Sequence, residues 1–145
     1  MKTLFTAKAS TTGGRNGHSH TADNKLSFEL AMPGAPTKKS GPVTNPEELF
    51  ACGYSACFGS ALEYVAGQQK ITVTDVTVNA DVSLNSDDNG FFLSVILDVS
   101  IPGLDDATTQ KLVSAAHKVC PYSKATRGNI QVTLKANQQP LNQAA

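Results

Sequence analysis

The 145-residue chain has no tryptophan, only three cysteines and an aromatic content of 6%. Three thiols are too few, and odd in number, for the disulfide framework of a secreted miniprotein. Neither sign of charge is in excess: twelve basic residues balance twelve acidic ones, for a formal net charge of zero. A nucleic-acid binder or an anionic-membrane binder needs a basic footprint that this sequence does not supply. No apolar run approaches the roughly 20 residues of a membrane span. The first residues, Met1 to Phe5, lead into alternating sequence without the apolar core of a signal peptide. The expectation is a cytoplasmic protein of one domain, residues 1–145, with no nucleic-acid or membrane partner.

What is present reads as α+β. Thr3 to Ser10 alternates like a strand, and Thr11 to Gly17 is a glycine-rich loop around Arg15. Further strands are expected from His18 onward and over Lys25–Ala31, followed by a punctuated loop from Pro33 to Pro42 that carries Lys38 and Lys39. Asn45-Pro46-Glu47-Glu48 opens a helix, with Asn45 as N-cap, Pro46 in the first turn and acidic residues beside the positive end of the dipole. Its body, Leu49 to about Gly67, has no charge before Glu63, as expected for a helix buried on most sides. Val76 to Leu84 and Phe91 to Ile101 then alternate with period two around an Asn85–Gly90 turn, giving a long antiparallel hairpin. Asp105 caps a second helix with an apolar stripe of Leu112, Ala115, Ala116 and Val119. Pro121 interrupts it, and a last strand covers Ile130–Leu134, leaving Asn137 to Ala145 as a frayed tail. Strands, helix, hairpin, helix, strand in that order favour α+β over repeated βαβ units.

The thiols decide the chemistry. By position alone Cys57, inside the uncharged helix, reads as a small packing residue. Cys120 precedes a proline; if a new helical turn starts there, exposed N–H groups favour a thiolate. Two thiols far apart in sequence are the minimum for dithiol redox chemistry, one attacked by oxidant and the other resolving the sulfenic acid. Cys52 and Cys57 lie about 500° apart around a helix and cannot pair within it, so Cys52 packs. His117, His18 and His20 find no partner set that defines a nucleophile pair or a metal site, and no cofactor is expected.

Three segments carry a resemblance: Asn45-Pro46-Glu47-Glu48-Leu49-Phe50-Ala51, Gly53-Tyr54-Ser55-Ala56-Cys57-Phe58, and Cys120-Pro121-Tyr122-Ser123-Lys124-Ala125-Thr126-Arg127-Gly128-Asn129. In this order they resemble the organic hydroperoxide resistance (Ohr) proteins of the OsmC-like superfamily. The resemblance implies an OsmC-like fold, with antiparallel sheets around a central buried helix in an intertwined homodimer. It also implies a thiol peroxidase that reduces organic and fatty-acid hydroperoxides and is regenerated by dihydrolipoyl groups, free or on a lipoylated protein. Matched by motif, Cys57 is the peroxidatic and Cys120 the resolving cysteine, Arg15 activates the thiolate, and Glu47 orients Arg15. An arginine suits that role because it stays charged and holds a carboxylate with two N–H groups while offering others to sulfur. Leu49, Phe50, Phe58, Leu62 and Tyr122 are expected to line an alkyl-chain pocket. Alternatives are an OsmC-branch peroxidase with another peroxide preference, or a redox-inert dimeric binding module. Glu47 and Cys57, ten residues apart on one helix, stand about 15 Å apart along its axis. A two-fold pair of antiparallel helices would instead bring Glu47 of one chain toward Cys57 of the other.

Overall fold

The computed structural model describes residues 1–141, in two compact units, Met1–Leu49 and Phe50 onward. In the first unit, β1 (Ala9–Thr12), β2 (His18–Thr21), β3 (Ser27–Leu30) and β4 (Val43–Thr44) form a sheet in the order β1-β2-β3-β4. The first strand therefore lies later than Thr3–Ser10, and Met1, Leu4 and Phe5 are exposed. A 3-10 turn, Gly14–Asn16, carries Arg15 between β1 and β2. Because Thr12 pairs with His18 across this turn, the chain doubles back tightly. A Cβ on Gly17 would fall on the Thr12 carbonyl, so only glycine fits there. The Lys39 ammonium meets the carbonyl oxygens of Gly17 and Leu30 and the Glu29 carboxylate, at 2.5, 2.9 and 2.8 Å. The 33–42 loop is thus pinned through Lys39 to the strand ends beside Arg15.

The second unit is built on β5 (Thr77–Asp87), β6 (Gly90–Ser100), β7 (Gln131–Ala136) and β8 (Gln139–Pro140), ordered β5-β6-β7-β8. The hairpin register aligns Val78 with Val99, Ala80 with Leu97 and Val82 with Val95. β7 continues these rows with Ala136, Leu134 and Val132. Period-two alternation puts all nine on one face, and that face carries the core. The turn is shorter than the sequence suggested: only Asp88 and Asn89 lie between paired Asp87 and Gly90, with the Asn89 N–H on the Asp87 carboxylate at 2.7 Å. Asn85 and Ser86, although turn-forming types, are held in the ladder opposite Phe92 and Phe91.

Two helices cover this face. α1 (Pro46–Gln68) starts as expected, with Asn45 Oδ1 accepting the Glu48 N–H at 2.9 Å. It buries one stripe, Tyr54, Phe58, Ala61, Leu62, Val65 and Ala66. Cys52, Ala56, Ser60 and Glu63 on the remaining surface are exposed, so within the described chain the helix is not enclosed on most sides. Its lack of charge misled because small residues leave both faces looking alike. α2 (Asp106–Val119) is capped by Asp105, which accepts the Thr108 N–H at 2.9 Å. The stripe it buries is Thr109, Leu112, Val113 and Ala116, while Val119 is exposed. Thr109 tolerates burial because its hydroxyl donates to the Asp105 carbonyl at 2.9 Å. α3 (Pro121–Thr126) follows, and the path β6-α2-α3-β7 joins two parallel strands. Each sheet therefore contains one parallel pair, β3–β4 and β6–β7, and is not wholly antiparallel. The stretch expected to fray instead turns at Asn137-Gln138, and Gln139–Pro140 pairs with β7. Residues 142–145 of that expected tail lie outside the described residues. No helix among the described residues is long and apolar enough to cross a membrane.

Candidate active site

The residue before a proline is driven out of the helical region, and here that residue is Cys120. Its backbone is extended (φ −62°, ψ 124°), so it is both C-cap of α2 and N-cap of α3. Its N–H closes α2 on the Ala116 carbonyl and its own carbonyl accepts the Lys124 N–H, each at 2.9 Å. The bend carries the fully buried Cys120 thiol to 3.6 Å from the sulfur of Cys57, within thiol hydrogen-bond reach. Both thiols are free. Sixty-three residues of separation hid this contact from the spacing. Burial pushes the Cys57 thiol up, the backbone N–H of Tyr122 pulls it down, and the neighbouring Cys120 adds to the rise. Cys120 itself makes no side-chain cap bond at the start of α3. Cys52 is exposed and takes no part.

Arg15 and Glu47, both in the first unit, form a two-pronged ion pair: Nη1 to Oε2 at 2.8 Å and Nη2 to Oε1 at 2.6 Å. The hydrogen bonds from Arg15 hold the Glu47 carboxyl below the usual glutamate range, against a smaller effect of burial. Of the residues expected to line a pocket, Phe58 and Leu62 are fully buried in the core. They continue the stripe begun by Tyr54 and present no surface to a ligand, so that assignment is withdrawn for both. Leu49 and Tyr122 are partly exposed. Phe50 and Tyr122 meet with ring centroids 5.9 Å apart, and Tyr54 packs on both at 5.9 and 5.6 Å.

A family model described as OsmC-like protein matches residues 23–135. The chain is 52% identical over 135 residues to the organic hydroperoxide resistance protein OhrB of Bacillus subtilis, spanning 91% of this chain and 97% of that one. It is 46% identical over 134 residues to the organic hydroperoxide resistance protein of Xanthomonas axonopodis pv. citri, covering 92% and 94%. The crystal structure of B. subtilis OhrB superposes with a TM-score of 0.86 at 48% identity, over 92% of this chain and 99% of that one. The chain belongs to the Ohr branch of the OsmC-like family. An organic hydroperoxide resistance protein from Vibrio cholerae, described as putative and with captopril bound in one of its active sites, is similar at TM-score 0.86 and 41% identity, over 97% of each chain.

Within this Ohr chain, the sequence reading overlooked a polar junction behind the thiols. Tyr54 OH lies 2.9 Å from Ser123 Oγ and 3.2 Å from Thr126 Oγ1, and Ser123 Oγ lies 2.9 Å from His117 Nδ1. Ser123 and Thr126 are buried. The signal was present: two hydroxyls three residues apart on α3 share one face. His117, for which the sequence pattern offers no partner, finds one in Ser123. His18, for which the sequence offered no metal site, has both ring nitrogens engaged, Nδ1 with Glu29 at 2.8 Å and Nε2 with Ser27 at 3.0 Å.

Proposed function

We propose that this Ohr-family chain is a cysteine-based peroxidase for organic hydroperoxides, and that its two units act as one domain. The observation that supports this best is the free Cys57–Cys120 pair at 3.6 Å. In the first step the Cys57 thiolate attacks the peroxide oxygen bearing hydrogen. The O–O bond breaks, ROOH leaves as ROH after taking one proton, and Cys57 becomes a sulfenic acid. In the second step Cys120 attacks that sulfur, and the thiol proton and the sulfenic hydroxyl leave as water, giving a disulfide. A dihydrolipoyl group, free or on a lipoylated protein, then returns two electrons and two protons by thiol–disulfide exchange and closes its own ring.

The first step needs a thiolate, yet burial raises Cys57. A fixed cation offsets that cost, and Arg15, held in place by Glu47, is the one we assign. Because ten residues of helix separate Glu47 from Cys57, we assign the pair to the thiol of the partner chain in a homodimer with shared sites. Phe50 and Tyr122 are the retained candidates for contact with the alkyl group, with Leu49 beside them, and the cytoplasm is the proposed compartment. The same burial favours one rival, a redox-inert module whose cysteines only pack. Following cumene hydroperoxide loss with dihydrolipoamide as reductant decides between them. Catalytic turnover, faster than with glutathione, is expected; no turnover with any dithiol would overturn the peroxidase reading.

A further inference from the structure

The bend at Cys120 is bridged from both sides. His117 lies three residues before it, in the last turn of α2, and Ser123 three residues after it, in α3. Their side chains meet at 2.9 Å, Nδ1 to Oγ, across the bend. Arg127 Nη2 donates to the His117 carbonyl at 2.7 Å, adding a second tie between the end of α2 and the end of α3. Ser123 is also bound to Tyr54, which stands on α1 one turn before Cys57. One hydroxyl therefore joins the helix of the first thiol to both helices that flank the second. Ser123 is fully buried, and water cannot replace a partner it loses.

We propose that His117 is a positioning residue for disulfide formation, acting through Ser123 to hold the Cys120 bend against Cys57. This rests on the peroxidase reading and assigns to His117 a role in its second step. The requirement is geometric. Closing the present sulfur separation to a bond needs the two Cβ–S vectors to meet in a narrow geometry, which a bend held in place supplies. Without the His117 side chain the bend keeps the Arg127 tie and the Ser123–Tyr54 bond but loses the link from α2 to Ser123, and Cys120 samples a wider range of orientations. Bonding at Nδ1, not Nε2, makes the role specific to side chains that place a polar atom close to the backbone. The first step, attack of Cys57 on peroxide, does not use the Cys120 sulfur, and the Arg127 and Tyr54 ties still hold α3 near Cys57, so it depends on the bridge less than closure does.

The test separates the two steps by rapid quench with one equivalent of cumene hydroperoxide. Dimedone traps the sulfenic acid, and intact mass counts the disulfide. His117→Phe keeps the ring volume and loses Nδ1. It should form sulfenic acid with at most a small loss of rate but close the disulfide about tenfold more slowly, the loss expected from one net hydrogen bond. His117→Asn, whose amide overlays Nδ1, should restore closure to near the wild-type rate, and His117→Gln, whose amide overlays Nε2, should not. Ser123→Ala should slow closure similarly, and adding His117→Phe to it should slow it little further. Closure at the wild-type rate in His117→Phe, or equal slowing in the Asn and Gln variants, would overturn the positioning role while leaving the peroxidase reading intact. A wild-type protein that forms no disulfide would overturn both.

Discussion

Two sulfur atoms in contact have unequal surroundings, and their roles follow from that inequality. Cys57 is partly exposed, while Cys120 is fully buried. Peroxide can reach the first and not the second. Cys57→Ser should therefore abolish peroxide reduction, while Cys120→Ser should react once and stop as a sulfenic acid open to overoxidation. Peroxide titration with dimedone trapping checks this, and single-turnover reactivity in Cys57→Ser would reverse the assignment. Glu47 makes a second prediction at this scale. Its carboxyl is lowered by Arg15, so the native state binds that proton less readily than the unfolded chain does. The stability this contributes is fully present above the unfolded glutamate value and is lost as pH falls through the lower native one. Urea midpoints measured from pH 7 to pH 3 should show a smaller acid loss in Glu47→Gln than in wild type. Parallel acid limbs would mean that the pair contributes no linkage.

Helices and strands explain why some of this was readable and some was not. Asn45-Pro46 and Asp105 announce helix starts through local chemistry, and both caps form. The Val76–Ile101 alternation likewise survives, because one buried face fixes its register. β4 was missed because two residues carry no period, and because its pairing with β3 is parallel and long-range. The Cys57–Cys120 contact was named from motif resemblance alone, since the sheet crossover that creates it leaves no trace in spacing. The Tyr54–Ser123–His117 junction escaped for the same reason. Gly53 offers an element-scale test. A Cβ there would stand 2.9 Å from the Tyr122 hydroxyl oxygen and 3.2 Å from a ring carbon, whereas one on Gly67 meets nothing within 4 Å. Gly67→Ala should stabilise by about 0.5–1 kcal/mol through helix propensity. Gly53→Ala should lose that gain by displacing the Tyr122 ring, which is read as a lower thermal midpoint and an altered near-UV tyrosine signal. Equal stabilisation of both variants would show that Tyr122 moves aside freely.

At the scale of the whole molecule, the ion pair and the thiol pair lie in different units of one chain. A homodimer that shares its sites would let one chain's Arg15–Glu47 pair serve the other's Cys57. Mixing Cys57→Ser with Glu47→Ala under conditions of subunit exchange should then recover activity. Heterodimers would hold one site with Cys57 from the Glu47→Ala chain and Glu47 from the Cys57→Ser chain. No recovery despite proven exchange would return Glu47 to its own chain's site. All of this presupposes that the two sulfurs are a redox pair. Intact mass of the reduced protein before and after one equivalent of cumene hydroperoxide measures that directly. A loss of two hydrogens per chain, absent in Cys57→Ser and in Cys120→Ser, is the expected result, and an unchanged mass in the wild-type protein would contradict it.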